Sequence, residues 1–143
     1  MNQRKDNRLT KGTVRSTIRM LIPLDKQSEA LDILGYVSAQ VQYEPSCISS
    51  RLYRSVDDVR AIMVEELWTG NEGMLHHLRS EEYRRVLLAV EMAEEPPEIR
   101  FEEISHTSGL ETIENALKKS AKSNMTNTAS NIHNNSPKRR IAG

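Results

Sequence analysis

Residues 61–83, AIMVEELWTGNEGMLHHLRSEEY, decide the fold because the spacing of their apolar side chains changes along the segment. Over the first eight residues the side chains alternate with a period of two, which is typical of a β-strand. After Trp68 the apolar residues recur three and four positions apart, which predicts helix. Thr69 with Glu72 forms a capping-box pattern for a first helix, and Ser80 is the predicted cap of a second.

The rest of the chain shows the same two periods. A predicted helix follows the first strand, with Asp25 as its cap and Gln42 near its end. The predicted strands span residues 14–22, 47–54, 61–68 and 98–105. The order of strand, helix, strand, strand, helix, strand is the split βαβ arrangement of α+β ferredoxin-like folds, in which helices cover one face of an antiparallel sheet.

Alternation also assigns side chains to the two faces of each strand. In the second strand it places Cys47 on the face opposite Ser50 and Leu52. In the helix after Ser80 the spacing predicts a buried face made of Tyr83, Val86, Leu87 and Val90. The predicted core therefore lies between the helices and one face of the sheet.

Composition along the chain predicts the domain boundaries. Residues 13–106 form the expected domain, and residues 107–119 predict one additional helix. Residues 1–12 read as a disordered basic arm and residues 120–143 as a disordered polar tail. Neither segment carries enough apolar surface to offset the entropy of ordering it.

The overall composition limits the classes of function. The 143 residues include 20 basic and 20 acidic side chains, so the formal net charge is zero and nucleic acid is not an expected partner. Salt-dependent binding through the two basic tails stays open as a further reading. No apolar run approaches a membrane span, and the polar, basic start disfavours a signal peptide. With Cys47 as the single cysteine, a reducing, cytoplasmic setting is expected.

A second copy of this chain is the expected partner. The sheet face away from the helices carries apolar residues on the third strand, and a domain of this size is expected to bury such a face in a homodimer. The alternative is that charged residues keep the face hydrated. Those residues are Arg15, Arg19, Arg51 and Glu65.

Three stretches resemble the antibiotic biosynthesis monooxygenase-like domain family. Residues 66–83, with E-L-W, then H-L-R-S and a tyrosine, are similar to its E-x-W…H-L-x-S…[YF] stretch. Residues 44–47, E-P-S-C, resemble its E-P-G-C turn, although Ser46 replaces the usual glycine. Residues 97–101, PEIRF, look like its last strand, so the resemblance covers about residues 14–105.

The resemblance implies a dimeric α+β barrel in which two ferredoxin-like sheets pack face to face. Some members are oxygenases that act on quinols or polyketide anthrones without metal or flavin. The predicted function is therefore a monooxygenase that oxidises a quinol-like or other electron-rich aromatic compound with oxygen, and neither a cofactor nor a metal is expected. The alternative is a non-catalytic dimeric barrel that binds a small ligand or serves in a stress response.

The haem-degrading branch of the family is not matched. That branch carries a tryptophan where His77 stands and a haem-ligating histidine where this chain has Leu87. It also uses an asparagine on the first strand, and none occurs between Val14 and Ile22. Because leucine cannot bind iron, haem degradation is not expected.

Two residues are the predicted catalytic groups. His77 is the candidate base, since imidazole is well suited to take a phenolic proton near neutral pH. The alternative is a structural histidine bonded to backbone where two helices meet. Tyr83 is the candidate hydroxyl donor to a substrate oxygen. His76 points about 100° away around the helix and is expected to face solvent, so the two histidines form a poor metal site.

Four further residues are predicted to bind the substrate. Trp68 is expected to line an aromatic pocket, and its alternative role is that of a core anchor. Glu66 shares a strand face with Trp68 and is expected to place a carboxylate in the pocket. Ser16 and Ser50 are small hydroxylated residues that a cavity can use.

Overall fold

The computed structural model describes residues 9–131, with the side chains of residues 9–122. It divides the chain into two units, one ending at Thr107 and one beginning at Ser108. Residues 1–8 of the predicted arm and residues 132–143 of the predicted tail lie outside the described residues.

Four strands and three helices build the described part of the first unit. The strands are β1 (Val14–Leu21), β2 (Cys47–Arg54), β3 (Ala61–Trp68) and β4 (Glu98–Glu103). The helices are α1 (Gln27–Val41), α2 (Asn71–Leu78) and α3 (Glu81–Glu91), and a single 3-10 turn (Leu24–Lys26) precedes α1. The strands form one sheet in the order β2-β3-β1-β4, and every neighbouring pair is antiparallel. The predicted α+β ferredoxin-like fold is confirmed.

The main core lies between the helices and one face of the sheet. β1 contributes Ile18 and Met20, and β3 contributes Ile62 and Val64. Their helical partners are Ala30, Leu34 and Val37 of α1 with Val86 and Ala89 of α3. A second cluster surrounds Trp68 at the other end of the same face and includes Val14, Val41, Cys47 and Met74. Together the two clusters fix α1, α2 and α3 against the strands that carry the predicted site.

The predicted side of Cys47 is wrong because β2 contains an irregularity. Cys47 pairs with Trp68, whereas Ser49 pairs with Leu67, so one extra residue lies between them. A bulge of this kind shifts the alternation by one position. Cys47 therefore shares the helix-facing side of the sheet with Ser50 and is buried.

Two predicted helix caps are wrong and one is confirmed. Asp25 lies inside the 3-10 turn, and α1 begins after Lys26 without a side-chain cap. Gly70, not Thr69, is the N-cap of α2, so no side chain caps this helix. Ser80 caps α3 as predicted, since its hydroxyl accepts a hydrogen bond from the backbone N–H of Tyr83.

The predicted buried face of α3 needs one correction. Leu87 is 45% exposed, and Ala89 is buried in its place. The core lies against Val86, and Leu87 is turned about 100° away from it around the helix. A helical period alone does not show where the edge of a buried face falls.

The second unit consists of α4 (Leu110–Asn131) in the described residues. The helix is longer than the predicted 107–119 and extends into the segment predicted to be a disordered tail. Its apolar side chains Leu110, Ile113 and Leu117 are exposed. Between residues 9 and 131, no helix has the length and apolar character that a membrane crossing requires.

Candidate active site

A row that is polar on its first three strands crosses the helix-facing side of the sheet between two apolar rows. Ser50, Glu66, Ser16 and Phe101 are register partners on β2, β3, β1 and β4. Residues directly opposite each other in a ladder share a face. Ser16 and Glu66 are both buried, so the sheet brings a predicted hydroxyl and the predicted carboxylate together.

The hydroxyl of Ser50 is engaged by α1. Its Oγ lies 2.9 Å from the Oγ of Ser38. The Ser38 hydroxyl also donates a hydrogen bond to the Ser50 carbonyl at 3.1 Å. Gln42 donates to the same carbonyl at 3.2 Å. The structure therefore places Ser50 in the contact between α1 and β2, and the sequence did not identify Ser38 as its partner.

Glu66 and His77 are the two ionisable side chains at the centre of the cluster. Glu66 is 6% exposed and His77 is 2% exposed. The His77 Nε2 atom lies 3.3 Å from Glu66 Oε1, but the geometry is not that of a hydrogen bond, and Nε2 makes none among the described residues. The two side chains are therefore ionisable groups buried in direct contact.

Aromatic rings enclose His77 on two sides. Its ring stacks on Trp68 with centroids 5.0 Å apart and an angle of 29°. Tyr83 meets the same ring edge-on at 5.4 Å. Trp68 is fully buried, so it is both a core anchor and a wall of the cluster, and its Nε1 makes no hydrogen bond in the described part of the chain.

The turn between α2 and α3 fixes His77 relative to Tyr83. The Ser80 hydroxyl donates to the His77 carbonyl at 2.6 Å and accepts from the Tyr83 N–H at 3.2 Å. The backbone of His77, rather than its imidazole, makes the bonds at this junction. His76 is exposed, as its position on α2 predicts.

The hydroxyl of Tyr83 is held in its protonated form. Burial raises the pKa of Tyr83, and the negative charge of Glu66 raises it further. The raised pKa keeps the phenol protonated at neutral pH, and the role of Tyr83 as a hydroxyl donor stays a prediction.

A cleft of about 330 Å³ opens beside the cluster. It lies between the C-terminal end of α1, the turn that follows and the start of α3, and His77 forms part of its wall. The cleft therefore borders a histidine whose side chain is buried. Across the described residues, no three histidine, cysteine or carboxylate side chains are grouped so that they could hold a metal ion.

Fold and cluster together define a class of protein: a ferredoxin-like α+β domain with a histidine, a carboxylate and aromatic rings buried between sheet and helices. The family model of antibiotic biosynthesis monooxygenases matches residues 13–87, which is more than half of the chain. The chain belongs to the antibiotic biosynthesis monooxygenase family. A comparison with curated proteins finds no match.

Solved structures share the fold. Rv0793 from Mycobacterium tuberculosis is 18% identical with a TM-score of 0.62, over 68% of this chain and 99% of that chain. A conserved protein from Methanosarcina mazei Go1 is 17% identical with a TM-score of 0.60, over 64% of this chain and 91% of that chain. A candidate antibiotic biosynthesis monooxygenase from Nitrosomonas europaea is 14% identical with a TM-score of 0.62, over 71% of this chain and 99% of that chain. At these identities the likeness concerns the fold alone.

Proposed function

We propose that the protein is a cofactor-independent monooxygenase that oxidises a quinol-like or other electron-rich aromatic compound with oxygen. The observation that carries the proposal is the buried contact of His77 with Glu66, 3.3 Å apart and flanked by Trp68 and Tyr83. A base with a compensating carboxylate in a dry aromatic setting suits the removal of a phenolic proton. Membership of the monooxygenase family supports the same class of reaction.

The proposed reaction uses the electrons of the substrate itself. His77 takes a hydroxyl proton, and the resulting anion gives an electron pair to oxygen at a ring carbon that bears hydrogen. The proton on His77 then passes to the peroxide. The O–O bond breaks, the carbon loses its hydrogen, and a carbonyl and one water remain. One oxygen molecule is consumed per substrate, and no hydrogen peroxide is released. Tyr83 orients the substrate oxygen in this scheme.

Oxygen stoichiometry tests the proposal. With simple quinols, an oxygen electrode should record protein-dependent uptake of one oxygen per hydroxyquinone formed. Catalase added afterwards should return no oxygen, because the second oxygen atom has become water. Uncatalysed autoxidation releases peroxide instead, and catalase then returns about half of the oxygen. Uptake that matches a protein-free control, or that catalase partly reverses, contradicts the proposed reaction.

A second candidate function is a non-catalytic module that binds a small ligand. The close packing of the three rings favours it, since Trp68 and Tyr83 occupy two sides of His77 and leave the cleft as the described access. This function predicts thermal stabilisation by the ligand without any turnover. The oxygen measurement separates the two candidates.

We also propose that the protein acts as a homodimer through the open face of its sheet. That face carries half-buried Met63 and Leu67 together with charges of both signs. Arg15 lies 3.9 Å from Glu65, and Arg19 lies 3.8 Å from Glu98. A face with apolar residues among arginines and glutamates can pair with a second copy of itself.

Light scattering after size-exclusion chromatography checks the proposed dimer. We expect twice the monomer mass of 16.3 kDa. Replacing Met63, at the centre of the face, by arginine should shift the mass towards the monomer because it adds an unpaired charge. The matched control is Leu88→Arg, at an exposed position on α3. Monomeric wild-type protein at micromolar concentration contradicts the proposal.

A further inference from the structure

The cleft beside His77 has its own chemical character. Its wall consists of Gln40, Val41, Tyr43, Glu44, Pro45, His77 and Glu82. Two of these side chains are carboxylates, and none of the seven is a lysine or arginine. The cleft therefore borders the buried cluster at His77 and is lined by negative charge.

The two arginines that follow Glu82 on α3 have other partners. Arg84 of α3 pairs with Glu81 at 3.4 Å. Arg85 lies over the ring of Tyr36, with its guanidinium carbon 4.8 Å from the ring centroid. Both contacts draw positive charge to other parts of the helical surface.

Two further features favour a cation in the cleft. The C-terminal end of α1 meets the cleft at Gln40 and Val41, and the C-terminal end of a helix carries partial negative charge. Tyr43 is 85% exposed, so the face of its ring is available to a cation. Both features act in the same direction as the two carboxylates.

The inner wall connects the cleft to the buried cluster. His77 is 98% buried, lines the cleft and has an Nε2 atom without a hydrogen bond among the described residues. That atom lies 3.3 Å from Glu66 Oε1, so a ligand in the cleft borders the histidine that contacts the buried carboxylate.

We propose that the cleft selects aromatic compounds that carry a protonated amine over those that carry a carboxylate. Glu44 and Glu82 are the specificity-determining residues, because an anionic substituent must pass both of them on its way to His77. Oxidation of the selected compound rests on the proposed monooxygenase function, whereas its binding does not.

Fluorescence of Trp68 provides a direct test of binding. It is the only tryptophan of the chain and lies 5.0 Å from His77, so a ligand in the cleft alters its emission. Dopamine and 3,4-dihydroxyphenylacetate form a matched pair, since both carry a catechol ring and differ in the sign of charge. In anaerobic titrations we expect dopamine to bind about tenfold more tightly than the acid, which is the order of effect that one half-buried and one exposed carboxylate allow. Added salt should reduce the ratio.

Charge variants assign the preference to the cleft. The Glu44→Gln/Glu82→Gln double variant should bring the two affinities within about twofold of each other, because it removes both charges without changing side-chain volume. Glu91→Gln, an exposed substitution at the far end of α3, is the matched control and should keep the preference. Equal affinities in the wild type, no binding of either catechol, or an unchanged ratio in the double variant each overturn the proposal.

Oxygen uptake with the same two catechols separates this inference from the proposed function. Selective binding of dopamine without uptake supports the cleft inference and contradicts the oxygenase. Uptake with equal affinity for both compounds supports the oxygenase and overturns the cleft inference. Neither result depends on the other, because binding is measured in the absence of oxygen.

Discussion

Replacing His77 by alanine should lower the rate of substrate-dependent oxygen uptake by about 10²- to 10⁴-fold, the usual contribution of a general base. The imidazole lies beside Glu66, and its removal takes away the proposed proton acceptor. The effect should appear in kcat, because proton transfer occurs in the chemical step and not in binding. The oxygen electrode gives kcat and KM directly.

A large buried substitution needs controls for folding. His77→Gln preserves most of the side-chain volume between Trp68 and Tyr83, so it tests the loss of the base without opening a cavity. His76→Ala is the matched surface control, since His76 is exposed on the same helix. Circular dichroism should show wild-type helix content for the variants used. An unchanged kcat in folded His77→Gln would remove His77 from the proposed chemistry.

Local spacing was sufficient to predict the elements of the fold. The alternation over residues 61–68 corresponds to β3 residue for residue, and the predicted bounds of β2 are also those of the structure. Alternation reflects burial of one strand face, which is a property of the segment itself. The family resemblance, based on short motifs, predicted the same fold. The match of the family model over residues 13–87 confirms the family.

Contacts between distant segments were beyond sequence reasoning. The spacing identified Glu66 and His77 separately as site candidates, but their approach to 3.3 Å depends on how α2 lies against β3. The same limit applies to Ser38, whose bond to Ser50 joins a helix to a strand, and to the extra residue after Cys47. These features arise from packing between elements, for which a single sequence carries no periodic signal.

Gly73 of α2 packs closely against Ser46, in the turn before β2. A Cβ atom at Gly73 would lie 2.4 Å from the Cβ of Ser46 and 2.6 Å from its Oγ, far inside the normal carbon–carbon contact distance. Hydrogen bonds hold this turn in place. The Ser46 carbonyl accepts from the Thr69 N–H at 2.9 Å, and the Cys47 N–H donates to the Glu44 carbonyl at 3.0 Å.

Gly73→Ala should therefore destabilise the protein by about 1–2 kcal/mol, measured as the free energy of unfolding in urea at fixed protein concentration. Overpacking is expected to cost about 1–3 kcal/mol, and the higher helix propensity of alanine returns part of it. Gly35→Ala in α1 is the matched control, because a Cβ there meets nothing within 4 Å. That variant should be stabilised by about 0.5–1 kcal/mol.

Replacing Ser46, the residue that the new methyl group would meet, by glycine should reverse the effect of Gly73→Ala on stability. It removes both atoms that the new methyl group would meet, so Gly73→Ala in this background should become neutral or stabilising by up to about 1 kcal/mol. Glycine is also the residue that the resembling E-P-G-C turn carries at this position. If Gly73→Ala costs the same with and without Ser46, the contact does not limit how closely α2 approaches the sheet. Because α2 carries His77, a displaced helix should also lower kcat, and Ser46→Gly should restore the rate together with the stability.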